Sequence, residues 1–281
     1  MKGKSHYKYT KSMKNWLIIT ILLLLTACAT SPTGRSQLML ISPEHAISAS
    51  REAYAQTLLP LQKEGKIDND NRASQRVRDI TGRIITQAII LFPQSRDWEW
   101  SVKVIDDPET VNAWCMAGGK MAVYTGLLEK VQPTDDELAQ VMGHEISHAL
   151  ANHTAERMSM AMATQIGMLG VAIAVGDSDH AGLALTGSAL AAALAINLPN
   201  SRSSESEADL MGIELAARAG YNPHAAATLW QKMEKAGGGG PPQFLSTHPS
   251  PTNRQETLQQ LAAQMMPYYL EKTERPIYPL D

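Results

Sequence analysis

The chain has 281 residues, and its 25 Lys and Arg against 28 Asp and Glu give a formal charge of −3. That balance leaves no basic surface to drive binding to nucleic acid. Two cysteines exclude a disulfide framework, and the length suits one domain with an adequate core.

Lys2, Lys4, Lys8, Lys11 and Lys14 precede an apolar run at 16–25, which is too short for a comfortable membrane span and has the layout of a signal-peptide core. Leu25-Thr26-Ala27-Cys28 follows and resembles a bacterial lipobox, with small residues for the peptidase and Cys28 for lipidation. Loss of this leader removes five lysines and takes the charge to −8, with 20 bases against the same 28 acids. Ala29 stands where an aspartate commonly retains lipoproteins at the inner membrane. The expected location is therefore the bacterial outer membrane, lipid-anchored and facing the periplasm. With Cys28 lipidated, Cys115 has no intramolecular partner and is expected to be buried.

Ser42-Pro43 opens a helical stretch to about residue 59, and a second amphipathic helix covers 74–91. Residues 98–105 alternate as a strand, and 113–116 with 120–124 read as a hairpin around Gly118-Gly119. Pro133-Thr134-Asp135-Asp136-Glu137 is a helix start, with Thr134 as N-cap, Glu137 as its capping-box partner and acids at the positive end of the dipole. Leu138, Val141, Met142, Ala149 and Leu150 then recur at helical spacing.

On that helix lies His144-Glu145-Ile146-Ser147-His148. Two imidazoles one turn apart share a face and fit one metal ion, while Glu145, about 100° around the helix, is placed to take a proton from an activated water. His153, five residues beyond His148, is expected on another face and receives no ligand role. Residues 158–175 and 181–198 are apolar and rich in Ala, Gly and Met. Each is near the lower length limit for a span, so they are expected as paired helices packed on or beside the catalytic domain. Glu205 and Asp209 share a face of a helix that runs to about Arg218, with Gly220 and Pro223 marking its end. Glu205 is the candidate third ligand, and Asp209 the acceptor for the other ring nitrogen of a ligand histidine. Glu207 points elsewhere. Gly237–240 with Pro241 and Pro242 precede a loop carrying His248-Pro249, and one more helix is expected from about 255 to 266.

Asn112-Ala113 with Gly118-Gly119-Lys120, His144-Glu145-x-x-His148, Glu205-x-x-x-Asp209, and His248-Pro249 with Arg254 six residues after the histidine together resemble one zinc metallopeptidase family. It includes the bacterial proteins BepA, LoiP and HtpX and the type I CAAX prenyl proteases. The resemblance spans about residues 40–260. It implies a mainly α, α+β zincin-like fold in which a small sheet or hairpin edges the zinc cleft. It further implies one zinc per chain on His144, His148 and Glu205, Glu145 as general base, and His248 as a reversible fourth ligand that holds the enzyme latent. Arg254 matches a recurrent family position and anchors the loop or stabilises the substrate oxyanion. An extended peptide would add as one more strand at the sheet edge.

The expected partition is a signal peptide at 1–27, a lipidated N-terminus and linker at 28–41, a zinc metallopeptidase domain at 42–266 and a tail at 267–281. The expected function is zinc-dependent hydrolysis of unfolded or misassembled envelope polypeptides, with membrane contact through the lipid anchor and no nucleic-acid partner. The alternative is a chaperone-like assembly lipoprotein that binds extended chains and rarely cleaves.

Overall fold

Side-chain caps set four of the helix starts among the described residues. The computed structural model describes residues 28–175, 187–236, 242–250 and 253–280, so the leader read at 1–27 lies outside the described residues. Strands β1 (Cys28–Thr30) and β2 (Ser36–Leu38) form an antiparallel hairpin. Helix α1 (Pro43–Lys63) starts at Ser42, whose side chain accepts the His45 N–H, with Pro43 preset for the first turn. Asp70 caps α2 (Asn71–Leu91) by accepting the N–H groups of Arg72 and Ala73.

The main sheet holds β3 (Ser101–Ile105), β4 (Ala113–Met116) and β5 (Lys120–Tyr124) in the order β3-β5-β4. The expected hairpin is β4–β5, turned by Gly118 and Gly119, both at positive φ. β3 pairs parallel to β5, which places β5 at the centre and leaves β4 at one edge. Alternation distributes the strands between two cores. Val102, Val104, Ala113, Cys115, Met121 and Val123 pack with Val77, Ile80, Ile84 and Ile85 of α2 and with Leu138, Met142 and Ile146. Trp114, Met116 and Ala122 face the other way, against Ala46, Ala49 and Ala53 of α1.

Helix α3 (Asp135–Leu150) has the expected capping box: the Glu137 N–H reaches Thr134 Oγ1, and the Thr134 N–H reaches Glu137 Oε2. α4 (His153–Val175) follows after Asn152, which turns the chain at φ 56°. α5 (Gly187–Ala192) passes into a π turn (Ala193–Asn197), and α6 (Arg202–Arg218) is capped by Ser201. α7 (Ala225–Lys235), the short α8 (Gln243–Thr247) and α9 (Arg254–Leu270) complete the order. The fold is thus mainly α with small sheets.

α3 and α6 meet at glycines. A Cβ on Gly212 would lie 2.7 Å from His144 N, and one on Gly143 would lie 2.6 Å from the Gly212 carbonyl oxygen. This close approach brings the His-Glu-x-x-His face against the Glu205 face.

Several boundaries differ from the sequence reading. Residues 28–41 form a hairpin stitched to the domain where a linker is expected: the Gln37 amide donates to Ala151 O at 2.8 Å and to Glu156. The tail is likewise part of the domain, since α9 continues through Pro267 to Leu270 and the Tyr278 N–H then bonds Gly82 O at 3.0 Å. Of the two apolar runs, the first lies within α4 and the second begins as a helix at Gly187 within the described residues. Ala155 and Met158 are buried against α1, whereas Met160, Met162 and Ile166 are exposed. Among the described residues no helix is long and apolar enough to cross a membrane.

Candidate active site

Helical spacing on α3 stacks His144 and His148, with ring centroids 4.7 Å apart and their Nε2 atoms 3.0 Å apart. α6 brings Glu205 up to both. Its Oε2 lies 3.3 Å from His144 Nε2, and its Oε1 lies 3.3 Å from His148 Nε2 without forming a hydrogen bond. His248 closes the group, and one ligand atom from each of His144, His148, Glu205 and His248 lies within 4.8 Å of the others. All four side chains are buried.

These residues suit a cation. Two imidazole nitrogens face each other and a carboxylate, the donor types of zinc sites, and one buried carboxylate oxygen has no hydrogen-bond partner. The electrostatics agree. Burial lowers His144, but the Glu205 and Asp209 carboxylates outweigh it and push the imidazole up to about 9. Burial likewise raises Glu205, and the neighbouring His248 and His144 more than offset this, holding its carboxyl well below the usual range.

Around the group sit residues that fix its orientation. Asp209 Oδ1 lies 3.0 Å from His144 Nδ1, the ring nitrogen turned away from the group. The Arg254 guanidinium donates to Asp209 at 2.7 Å and to Glu205 at 3.4 Å, and it lies 3.4 Å over the Trp230 ring. Arg254 is 5% exposed, and its Nη1 donates to the His248 carbonyl oxygen at 3.5 Å. That placement fits an anchor.

Glu145 stands between the helix and the sheet. Its Oε2 accepts the N–H of Cys115 on edge strand β4 at 3.1 Å, and its Oε1 lies 3.2 Å from His248 Nε2. Cys115 is buried as expected, and burial pushes its thiol well above the ordinary range. His248 follows α8 directly, so residues expected as loop form a helical turn. Its ring stacks on Phe244 at 4.3 Å, and Nδ1 lies 3.0 Å from Phe244 O and from Thr247 Oγ1. Cys28 is exposed at the start of β1, remote in the chain from this cluster.

His153 needs correction. Its Nδ1 lies 2.8 Å from His148 Nδ1 and its Nε2 lies 3.1 Å from Glu207 Oε2, so it backs His148 as Asp209 backs His144. The helical phase that would turn His153 to another face holds only within one helix, and α3 ends at Leu150 while His153 begins α4. Asn152, a residue type that tolerates the left-handed region, was the available signal of that break. Glu207 in turn contacts Arg35 and Thr33 of the N-terminal hairpin.

Residues 71–262 match peptidase family M48. The chain is 30% identical over 277 residues to the mitochondrial metalloendopeptidase OMA1 of Bos taurus, covering 94% of this chain and 51% of that protein. It is 41% identical over 161 residues to the mitochondrial metalloendopeptidase OMA1 of Arabidopsis thaliana, covering 57% and 31% respectively. It is 29% identical over 212 residues to the beta-barrel assembly-enhancing protease of Escherichia coli K12, covering 73% and 42%. The chain thus spans about half or less of the length of these relatives.

The expected bacterial outer-membrane, periplasm-facing location is overturned by these matches, because the OMA1 relatives are mitochondrial proteins. The physical reason is that the leader was read from charge and apolar composition, features that targeting segments for different membranes share. On the match across 71–262, the chain belongs to peptidase family M48 and carries its metalloendopeptidase domain.

Proposed function

We propose that the chain is a zinc endopeptidase acting on unfolded or misassembled polypeptides, with the metal on His144, His148 and Glu205. The observation that carries the reading is the convergence of these ligand atoms beside Glu145 and edge strand β4. Zinc bound there would lower the pKa of a water towards neutrality and polarise a scissile carbonyl. Glu145 takes the water proton and returns it to the leaving amine. Asp209 orients His144, and Arg254 holds Asp209 and Glu205 in place as an anchor. The edge of β4 offers backbone groups to an extended peptide, which supports substrates that are locally unfolded. The name of the E. coli relative, a beta-barrel assembly-enhancing protease, supports a role in protein quality control.

His248 is read as a reversible fourth ligand. With zinc bound, a histidine there would take the place of the catalytic water and hold the enzyme latent; the closeness of His248 to the ligand group and to Glu145 supports this reading.

The test is zinc stoichiometry with casein turnover, in the wild type and in Glu145→Gln. The expected result is one zinc per chain in both, with a loss of at least roughly a hundredfold in rate for the variant. Full activity in Glu145→Gln would remove that residue from the reaction, and a chain that binds no zinc would end the reading.

A further inference from the structure

The N-terminal hairpin lies outside the family-matched residues 71–262, yet its side chains reach the back of the candidate metal site. Arg35 Nε donates to Glu207 Oε2 at 2.9 Å, and its two terminal nitrogens grip Glu156 of α4 at 2.6 Å each. Thr33 Oγ1 donates to the other Glu207 oxygen at 2.7 Å. Glu207 is 2% exposed at its side chain, and His153 is fully buried. Without the hairpin, Glu207 would be a buried carboxylate lacking its counter-charge, and such a group reorients or takes up a proton.

The proton order through the chain of contacts follows from His148 acting as a ligand through Nε2. A histidine that ligates through Nε2 carries its proton on Nδ1. His148 Nδ1–H therefore donates to His153 Nδ1, which must accept, and His153 Nε2–H donates to Glu207. Glu207 fixes the His153 tautomer, and Arg35 fixes Glu207.

We propose that Arg35, acting through Glu207 and His153, is a positioning residue for His148, so that the N-terminal hairpin is a working part of the metal centre. The inference rests on the reading of His148 as a ligand. It differs from a clamp that merely ties the hairpin down, because a clamp would affect folding stability without a specific effect on metal affinity in the folded protein.

The experiment measures zinc affinity of the full chain by competition with a fluorescent chelator, alongside thermal unfolding of the zinc-free protein. His153→Phe is expected to weaken zinc binding by about 10- to 100-fold, the usual cost of losing a group that orients a ligand. Arg35→Ala is expected near the lower end, about tenfold. The double variant should bind no more weakly than His153→Phe alone, since both changes cut one chain of contacts. Wild-type zinc affinity in a folded Arg35→Ala protein, or losses that multiply in the double variant, would overturn the proposal. Should Arg35→Ala not fold, Glu207→Gln keeps the side-chain volume and removes the charge. Weaker binding supports the proposal there, and wild-type affinity overturns it. A wild-type chain that binds no zinc is a separate result, and it would strike the metal reading itself.

Discussion

Gly212→Ala tests whether the contact between α3 and α6 sets the geometry of the metal group. The added Cβ would lie 2.7 Å from His144 N and 2.9 Å from both Gly143 C and His144 Cα, all backbone atoms that no rotamer change can move. Ordinary contact begins at 3.4 Å, so the two helices must part by about 0.7 Å. Ligand distances in a working site hold to within about 0.2 Å, and Glu205 travels with α6 while both histidines stay on α3. Replacing a mid-helix glycine by alanine gains about 1 kcal/mol in helix propensity, whereas overpacking costs about 1–3 kcal/mol. The net expectation is a small loss of stability, up to about 2 kcal/mol, with zinc affinity reduced by at least about tenfold. Thermal unfolding of the zinc-free protein, zinc competition and casein turnover measure the three quantities. A higher melting temperature together with wild-type zinc affinity would refute the reasoning, because propensity alone would then decide and the glycines would not be setting the separation.

Chelation should abolish casein turnover, and added zinc should restore it, as three protein ligands imply. His248→Ala should retain zinc on His144, His148 and Glu205 and raise basal proteolysis; lower turnover at unchanged zinc would instead give His248 a part in substrate handling. Lys232→Met should destabilise the protein by about 1 kcal/mol near neutral pH, since Lys232 pairs with Glu137 at 2.6 Å but remains partly exposed. Burial raises the Glu137 carboxyl, and Lys232, the Thr134 N–H and the Thr228 hydroxyl together bring it below its ordinary 4.5. Its stabilisation is present above that unfolded value and is lost as pH falls through the depressed folded one. The gap in melting temperature between wild type and Lys232→Met should therefore close in acid, and a gap independent of pH would exclude the ion pair as its source.

The reading of α3 shows why part of the site was legible in the primary structure. Its capping box, its apolar stripe and the four-residue spacing of His144 and His148 are all interactions within a turn or two. The same holds for Glu205 and Asp209 on α6, and for the β4–β5 hairpin turned by two glycines. The parallel pairing of β3 with β5 was not legible, because no local pattern distinguishes it from a meander. His153 was misplaced for a related reason: a phase argument is valid only within one helix, and the break at Asn152 resets the phase.

The sequence by itself determined the helix that carries His144 and His148 with its capping box, the helix that carries Glu205 and Asp209, and the residue types of the site, since these follow from spacings of three to four residues and from turn chemistry; the helices at Ala225–Lys235 and Gln243–Thr247 were not among them. Only the tertiary structure decided which distant side chains meet. Arg254 reaches Asp209 across 45 positions and Arg35 reaches Glu207 across 172. The Gly143–Gly212 crossing likewise joins two helices far apart in the chain. Such meetings depend on how whole faces pack, and packing is a property of the assembled core that no periodicity along the chain encodes.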